Sequence, residues 1–78
     1  MTKQKQKEMI EKYVYKISEM NKLALDKFAE ELFTLKHEMD QTVFKFILKA
    51  VDIQIENLNN GMRFSPIAVM GEIKLSEL

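Results

Sequence analysis

The sequence predicts an all-α fold, and three observations carry that prediction. Neither glycine nor proline occurs from Thr2 to Asn60, so the usual punctuation of turns and strand ends is missing there. Apolar residues recur through the same stretch at steps of three and four, the spacing that gathers side chains on one helical face. An Asn59-Asn60-Gly61 stop is then followed by Ser65-Pro66, which reads as an N-cap with proline in the first helical position.

Seventy-eight residues allow a single domain, 1–78, and a chain this short has a small core that ordinarily needs reinforcement. With no cysteine, disulfides and thiolate metal sites are excluded, which leaves a partner chain as the expected reinforcement. Charged residues make up 31% of the chain and balance to a formal net charge of zero, so there is no global pull toward nucleic acid or anionic lipid. Arg63 is the only arginine, which counts against phosphate and base recognition by the forked guanidinium. No apolar run approaches the ~20 residues of a bilayer span, and the opening Met-Thr-Lys-Gln-Lys-Gln-Lys does not read as a secretory signal. The expected setting is the cytoplasm, without membrane association.

The first helix is expected from Lys5 to Leu35, after a basic, flexible tail over 1–6. Its stripe is Ile10, Tyr13, Ile17, Met20, Ala24, Phe28, Leu32 and Leu35. The spacing is heptad-like at first and then runs in successive fours, a stutter that relaxes a supercoil locally. A turn is expected near Lys36 to Asp40, with Asp40 or Thr42 capping the next helix.

The second helix, Asp40 to Asn59, is apolar around most of its circumference. Only Lys45, Lys49, Asp52, Glu56 and Asn59 or Asn60 form a polar strip, so the helix must be covered on two sides. One first helix does not cover both. The sequence therefore predicts a two-helix antiparallel hairpin that dimerises into a four-helix-like bundle, with Phe28, Leu32, Phe44, Ile47, Val51, Ile55 and Leu58 as self-association residues. The alternative is one long coiled-coil helix, since the apolar stripe can be followed through the turn region.

Beyond Gly61 the C-terminal segment 62–78 is expected to form a short helix from Pro66 to about Ser76, or an extended segment, given the alternation around Ile73 and Leu75. It is apolar and lies past the helix stop. Met62, Phe64, Ile67 and Met70 are accordingly the candidate partner-binding residues.

The residues announce no chemistry. His37 is the sole histidine; the zinc helix motif needs a second one four residues on, where Gln41 stands, and the Glu-x-x-His pattern of di-iron bundles meets Thr34 three residues before. Glu30 and Glu31 diverge by about 100° on a helix and share no proton. No catalytic, cofactor-binding or metal residues are assigned, and no enzyme is expected. Lys3, Lys5, Lys7, Lys12 and Lys16 permit a second reading, a nucleic-acid-associated regulator with basic N-terminal arms, although nucleic acid is not the expected partner. The function expected first is a small interaction module or regulator of adaptor or inhibitor type. It would act as a homodimer or higher homo-oligomer on a protein partner. The lysine, isoleucine and glutamate bias would suit an AT-rich bacterium or its phage.

Overall fold

A computed structural model describes all residues, 1–78. The chain is helical throughout, with no strand: α1 (Lys3–Glu19), α2 (Lys22–Thr34), α3 (Gln41–Asn59), α4 (Pro66–Glu72) and a closing 3₁₀ turn, Leu75–Glu77. The expected all-α class is therefore observed, but the number of helices differs from the sequence reading.

The first difference lies at the N-terminus, where helix begins at Lys3 rather than after a tail over 1–6. Thr2 is the reason: its hydroxyl accepts from the Lys5 N–H at 3.2 Å and so satisfies one of the unpaired amides of the first turn.

The second difference decides the architecture. The expected helix from Lys5 to Leu35 is broken after Glu19, where Met20 and Asn21 turn extended, with ψ of 142° and 176°. Asn21 restarts the chain as an N-cap, its Oδ1 accepting from the Ala24 N–H at 2.8 Å. The carbonyls left open at the break are taken up from far along the chain: Arg63 Nη1 donates to Ser18 O at 2.5 Å and to Met20 O at 2.9 Å. Polar residues thus supply a break that glycine or proline would otherwise mark.

The segment between α2 and α3 turns where expected. The Met39 N–H returns to Leu35 O at 3.1 Å, and Asp40 caps α3 by accepting from the Val43 N–H at 3.0 Å. A single rod of about 80 Å, the length of an uninterrupted helix over those residues, is not formed; the longest dimension of the chain is 36 Å.

With α1 and α2 set at separate angles, α3 becomes the central element. It packs against α1 along its most extensive contact, against α2, and against α4, while α4 also packs on α1. The core draws Ile10, Val14 and Ile17 from α1, Leu25 and Leu32 from α2, Val43, Phe44, Ile47, Ala50 and Val51 from α3, and Val69, Ile73 and Leu75 from the C-terminal segment. The polar strip of Lys45, Lys49, Asp52, Glu56 and Asn59 remains exposed, as its spacing predicts.

Three helices of the same chain pack on α3 and bury Val43, Phe44, Ile47, Ala50 and Val51, while Phe46, Leu48, Ile53, Ile55 and Leu58 stay partly exposed. The accessible surface of one chain is 5204 Å², close to the about 4,900 Å² of a well-packed monomeric protein of this mass.

The end of α3 follows from its sequence. Gly61 takes φ of 73°, Gly61 N donates to Leu58 O at 3.1 Å and Met62 N to Asn57 O at 2.8 Å, the paired bonds of a Schellman cap. Ser65 then caps α4, accepting from the Ala68 N–H at 3.3 Å with Pro66 next in line. The C-terminal segment is helix and not strand, but α4 ends at Glu72, short of Ser76. Lys74 adopts the left-handed conformation (φ 57°, ψ 47°), which turns the chain so that Ile73 and Leu75 both enter the core.

Candidate functional site

Two polar latches fix α4 in place. Gln54, fully buried on α3, pairs through its carboxamide with both backbone groups of one residue: Nε2 donates to Phe64 O at 3.1 Å and Oε1 accepts from Phe64 N–H at 3.3 Å. Asn57 Nδ2 adds a third bond to the same Oε1 at 3.4 Å, and no buried side-chain polar atom of the protein lacks a partner. Arg63, one residue before, is the second latch and ties the same loop to the end of α1. The segment between α3 and α4 is thereby held to both α1 and α3.

Held this way, α4 and the closing turn face α1 across an open groove of about 370 Å³. Lys7 and Glu11 form its α1 wall; Ile67, Met70 and Gly71 form the α4 wall, with Leu75 and Ser76 at its end. Leu75 is buried and Met70 half-buried, whereas Ile67 is 75% exposed, the largest exposure among the big apolar side chains. Gly71 lies within a helix, where glycine is disfavoured, yet a Cβ added to it would meet no atom within 4 Å. Packing inside the chain therefore does not account for it.

Among the four candidate partner-binding residues, Ile67 and Met70 line this groove; Met62 and Phe64 do not. Met62 is exposed in the preceding loop, and Phe64 is half-buried with its backbone engaged by Gln54. The self-association candidates sit elsewhere. Leu32, Phe44, Ile47 and Val51 are buried in the chain's own core, and Phe28, Ile55 and Leu58 pack half-buried against it, the Phe28 ring lying 5.9 Å from that of Tyr13.

His37 is exposed in the turn between α2 and α3, and no three His, Asp or Glu side chains converge as a metal site would require. The Asp40 carboxyl holds its proton more weakly than usual. The Val43 amide that it caps holds its pKa below the usual 3.8, partly opposed by desolvation and assisted by Gln6 Nε2, which reaches its two oxygens at 3.2 and 3.3 Å. That contact ties the start of α1 to the start of α3 and is structural.

The lysines of α1 do not form one basic face. At 100° per residue Lys5, Lys12 and Lys16 share an outer flank with Glu8 and Glu19, Lys16 lies over the Tyr13 ring at 5.6 Å, and Lys7 turns toward the groove. No helix of the protein is long and apolar enough to cross a membrane.

Comparison with protein-family models, with curated proteins and with solved structures finds no match. The role of the groove therefore rests on its own residues. Sequence reading found its α4 wall through the excess of apolar residues beyond the Gly61 stop, but missed the α1 wall. Lys7 and Glu11 look like ordinary solvated charges until the latches on the α3–α4 loop set α4 beside them.

Proposed function

We propose that the protein is a small, non-enzymatic protein-interaction module, a regulator of adaptor or inhibitor type that works through the groove between α1 and α4. A single observation carries the reading: the groove keeps an isoleucine at its rim three-quarters exposed, although the chain buries its other isoleucines largely or wholly. Leaving a branched aliphatic side chain in water forgoes about 1.5–3 kcal/mol of burial, and surfaces of this kind mark contacts with other molecules more often than isolated apolar residues do. The half-buried, adaptable Met70 beside it suits such a contact.

Self-association belongs to the same reading, as a property of the surface and not of the core. The nucleic-acid alternative draws no support from the fold, because Glu8, Glu11 and Glu19 are interspersed with the lysines of α1.

The test is retention of partners by the full chain and by Ile67→Asp, which alters an exposed side chain only. Proteins that copurify with the parent chain and are lost with the variant, while both melt alike, support the reading. Equal retention by both, or none by either together with a monomeric mass in solution, refutes it.

A further inference from the structure

We infer that Arg63 is a latch that keeps α1 and α2 apart, and that releasing it joins them into one helix whose α1 half docks on α3 and α4 of a second copy of this chain. The inference does not use the groove; it concerns how the helices of one chain are shared out.

The latch and the joined helix compete for the same atoms. In an uninterrupted helix each N–H donates to the carbonyl four residues back, so Ser18 O would accept from Lys22 and Met20 O from Ala24. In the closed chain both carbonyls accept from Arg63 Nη1 instead, at 2.5 and 2.9 Å, and the Ala24 N–H is held by Asn21 Oδ1 at 2.8 Å. One side chain from the α3–α4 loop thus stands in for two amides of the joined helix. Little else opposes joining. Neither glycine nor proline lies between Thr2 and Asn60, asparagine is only mildly unfavourable inside a helix, and Asn21 and Arg63 are both exposed, so neither is fixed by burial.

The joined helix does not fit within the closed chain. Over Lys3–Thr34 it would be about 48 Å long at 1.5 Å per residue, against a longest dimension of 36 Å. One half must leave α3, on which both α1 and α2 now pack. α2 is tied to α3 by the short turn at Leu35–Asp40, whereas α1 is tethered only through the hinge, so α1 is the half that leaves. It carries Ile10, Val14 and Ile17, all fully buried, and their exposure to water is strongly unfavourable. The surface that fits them is the one α1 vacates on α3 and α4, and a second opened copy presents that same surface. Exchange remakes each contact of α1 between chains, and only the hinge differs from the closed form. Arg63 therefore selects between the two: latched, the chain closes on itself; unlatched, the hinge straightens and the chains exchange α1.

The test uses the full chain. Arg63→Met keeps an apolar stem and removes the donors; refolded at about 1 mM, it is expected to give at least about tenfold more dimer than the parent, and that dimer persists on dilution because α1 must leave a core to revert. In the dimer the amides of Lys22 and Leu23, which open α2 and have no carbonyl within it, should become protected from hydrogen exchange. A closed fold merely loosened by the substitution would leave them unprotected. Lys22→Pro supplies the opposite arm. Proline is accepted at the first position of α2, after an extended Asn21, but inside a joined helix it deletes the bond to Ser18 O and clashes with that carbonyl. Arg63→Met combined with Lys22→Pro is expected to return to the monomer.

Sedimentation equilibrium reads the masses, and amide exchange reads the hinge. Arg63→Met that stays monomeric, that dimerises with Lys22 and Leu23 unprotected, or that keeps its dimer when Lys22→Pro is added overturns the inference. If Arg63→Met does not fold, the parent and Lys22→Pro refolded at about 1 mM provide the decision: a dimer fraction in the parent that Lys22→Pro removes supports the latch, and equal fractions in the two, or none in either, overturn it.

Discussion

Replacing Gln54 by leucine tests whether a single buried carboxamide holds the C-terminal third of the fold. The side chain is fully buried and makes two bonds to the backbone of Phe64 and one to Asn57. Leucine has nearly the same volume, so no cavity arises, and what is lost is pairing: the amide and carbonyl of Phe64 keep no protein partner. An unpaired buried backbone group costs about 1–3 kcal/mol. Phe64 is only half-buried, which places each group near the lower bound and leaves part of the loss to be met by water. The extra apolar burial of leucine returns roughly 1 kcal/mol. A net loss of about 1 to 2 kcal/mol follows, equivalent to a fall in melting temperature of roughly 4–16 °C for a domain of this size. Chemical denaturation measures it as a lower midpoint at unchanged slope, and faster amide exchange at Phe64 locates it. Gln54→Glu adds a second arm. Its carboxylate accepts from the Phe64 amide but donates nothing to the carbonyl, and burial raises its pKa above the unfolded value. The acid form, present below the unfolded pKa, is the tolerated one; stability is therefore lost as pH rises through the folded pKa. If Gln54→Leu unfolds at the parent midpoint and Gln54→Glu shows no such pH dependence, the carboxamide does not pin α4, and the rigid walls ascribed to the groove have no basis.

Asp40 has a depressed pKa caused chiefly by the Val43 amide, so its contribution is present above the unfolded value and is lost as pH falls through the folded one. The stability difference between the parent chain and Asp40→Asn, which keeps the capping geometry, should be constant above about pH 5 and shrink below it; a difference that grows on acidification refutes the assignment. Gly71→Ala adds a Cβ with no atom within 4 Å and should stabilise the dilute, monomeric chain by about 0.5–1 kcal/mol in denaturant titrations. Asn21→Ala removes the cap that restarts α2 and should cost about 1 kcal/mol, read as a lower denaturation midpoint. If instead it is neutral, the break between α1 and α2 is held by Arg63 alone.

Much of the fold is legible from local chemistry. Asp40, Gly61, Ser65 and Pro66 each have a conformational preference that fixes a helix end within a few residues, and each terminates or starts an element as expected. The break at Met20 was legible only as an irregularity of spacing. The stripe shifts phase between Met20 and Ala24, which reads equally as a stutter in one helix or as the end of one helix and the start of another. Burial separates the two: Leu25, off the expected stripe, is fully buried, while Ala24, on it, is only half-buried, because α2 is free to rotate once the chain is cut. Asn21 was the available signal, but an asparagine amid helix formers costs too little to mark a break by itself. What stabilises the break comes from Arg63, forty-three residues beyond Met20 along the chain, and no local pattern connects the two. The groove was half legible for the same reason, since its α4 wall is apolar and conspicuous while its α1 wall acquires meaning only from tertiary placement.

That break also separates folding from association. A continuous first helix would have left the broad apolar arc of α3 to be covered by another chain, making assembly a condition of having a core. With the helix cut at Met20, α1, α2 and α4 cover α3 from within one chain, and the residues that would have formed an obligate interface, Ile47 and Val51 foremost, are fully buried in it. A contact of the proposed kind would then use side chains that are stable in water beforehand, such as Ile67. Such contacts bury less and release more readily than a shared core. On the function proposed above, the core would already be in place before any partner is met, and association would follow concentration without being the condition of having a core.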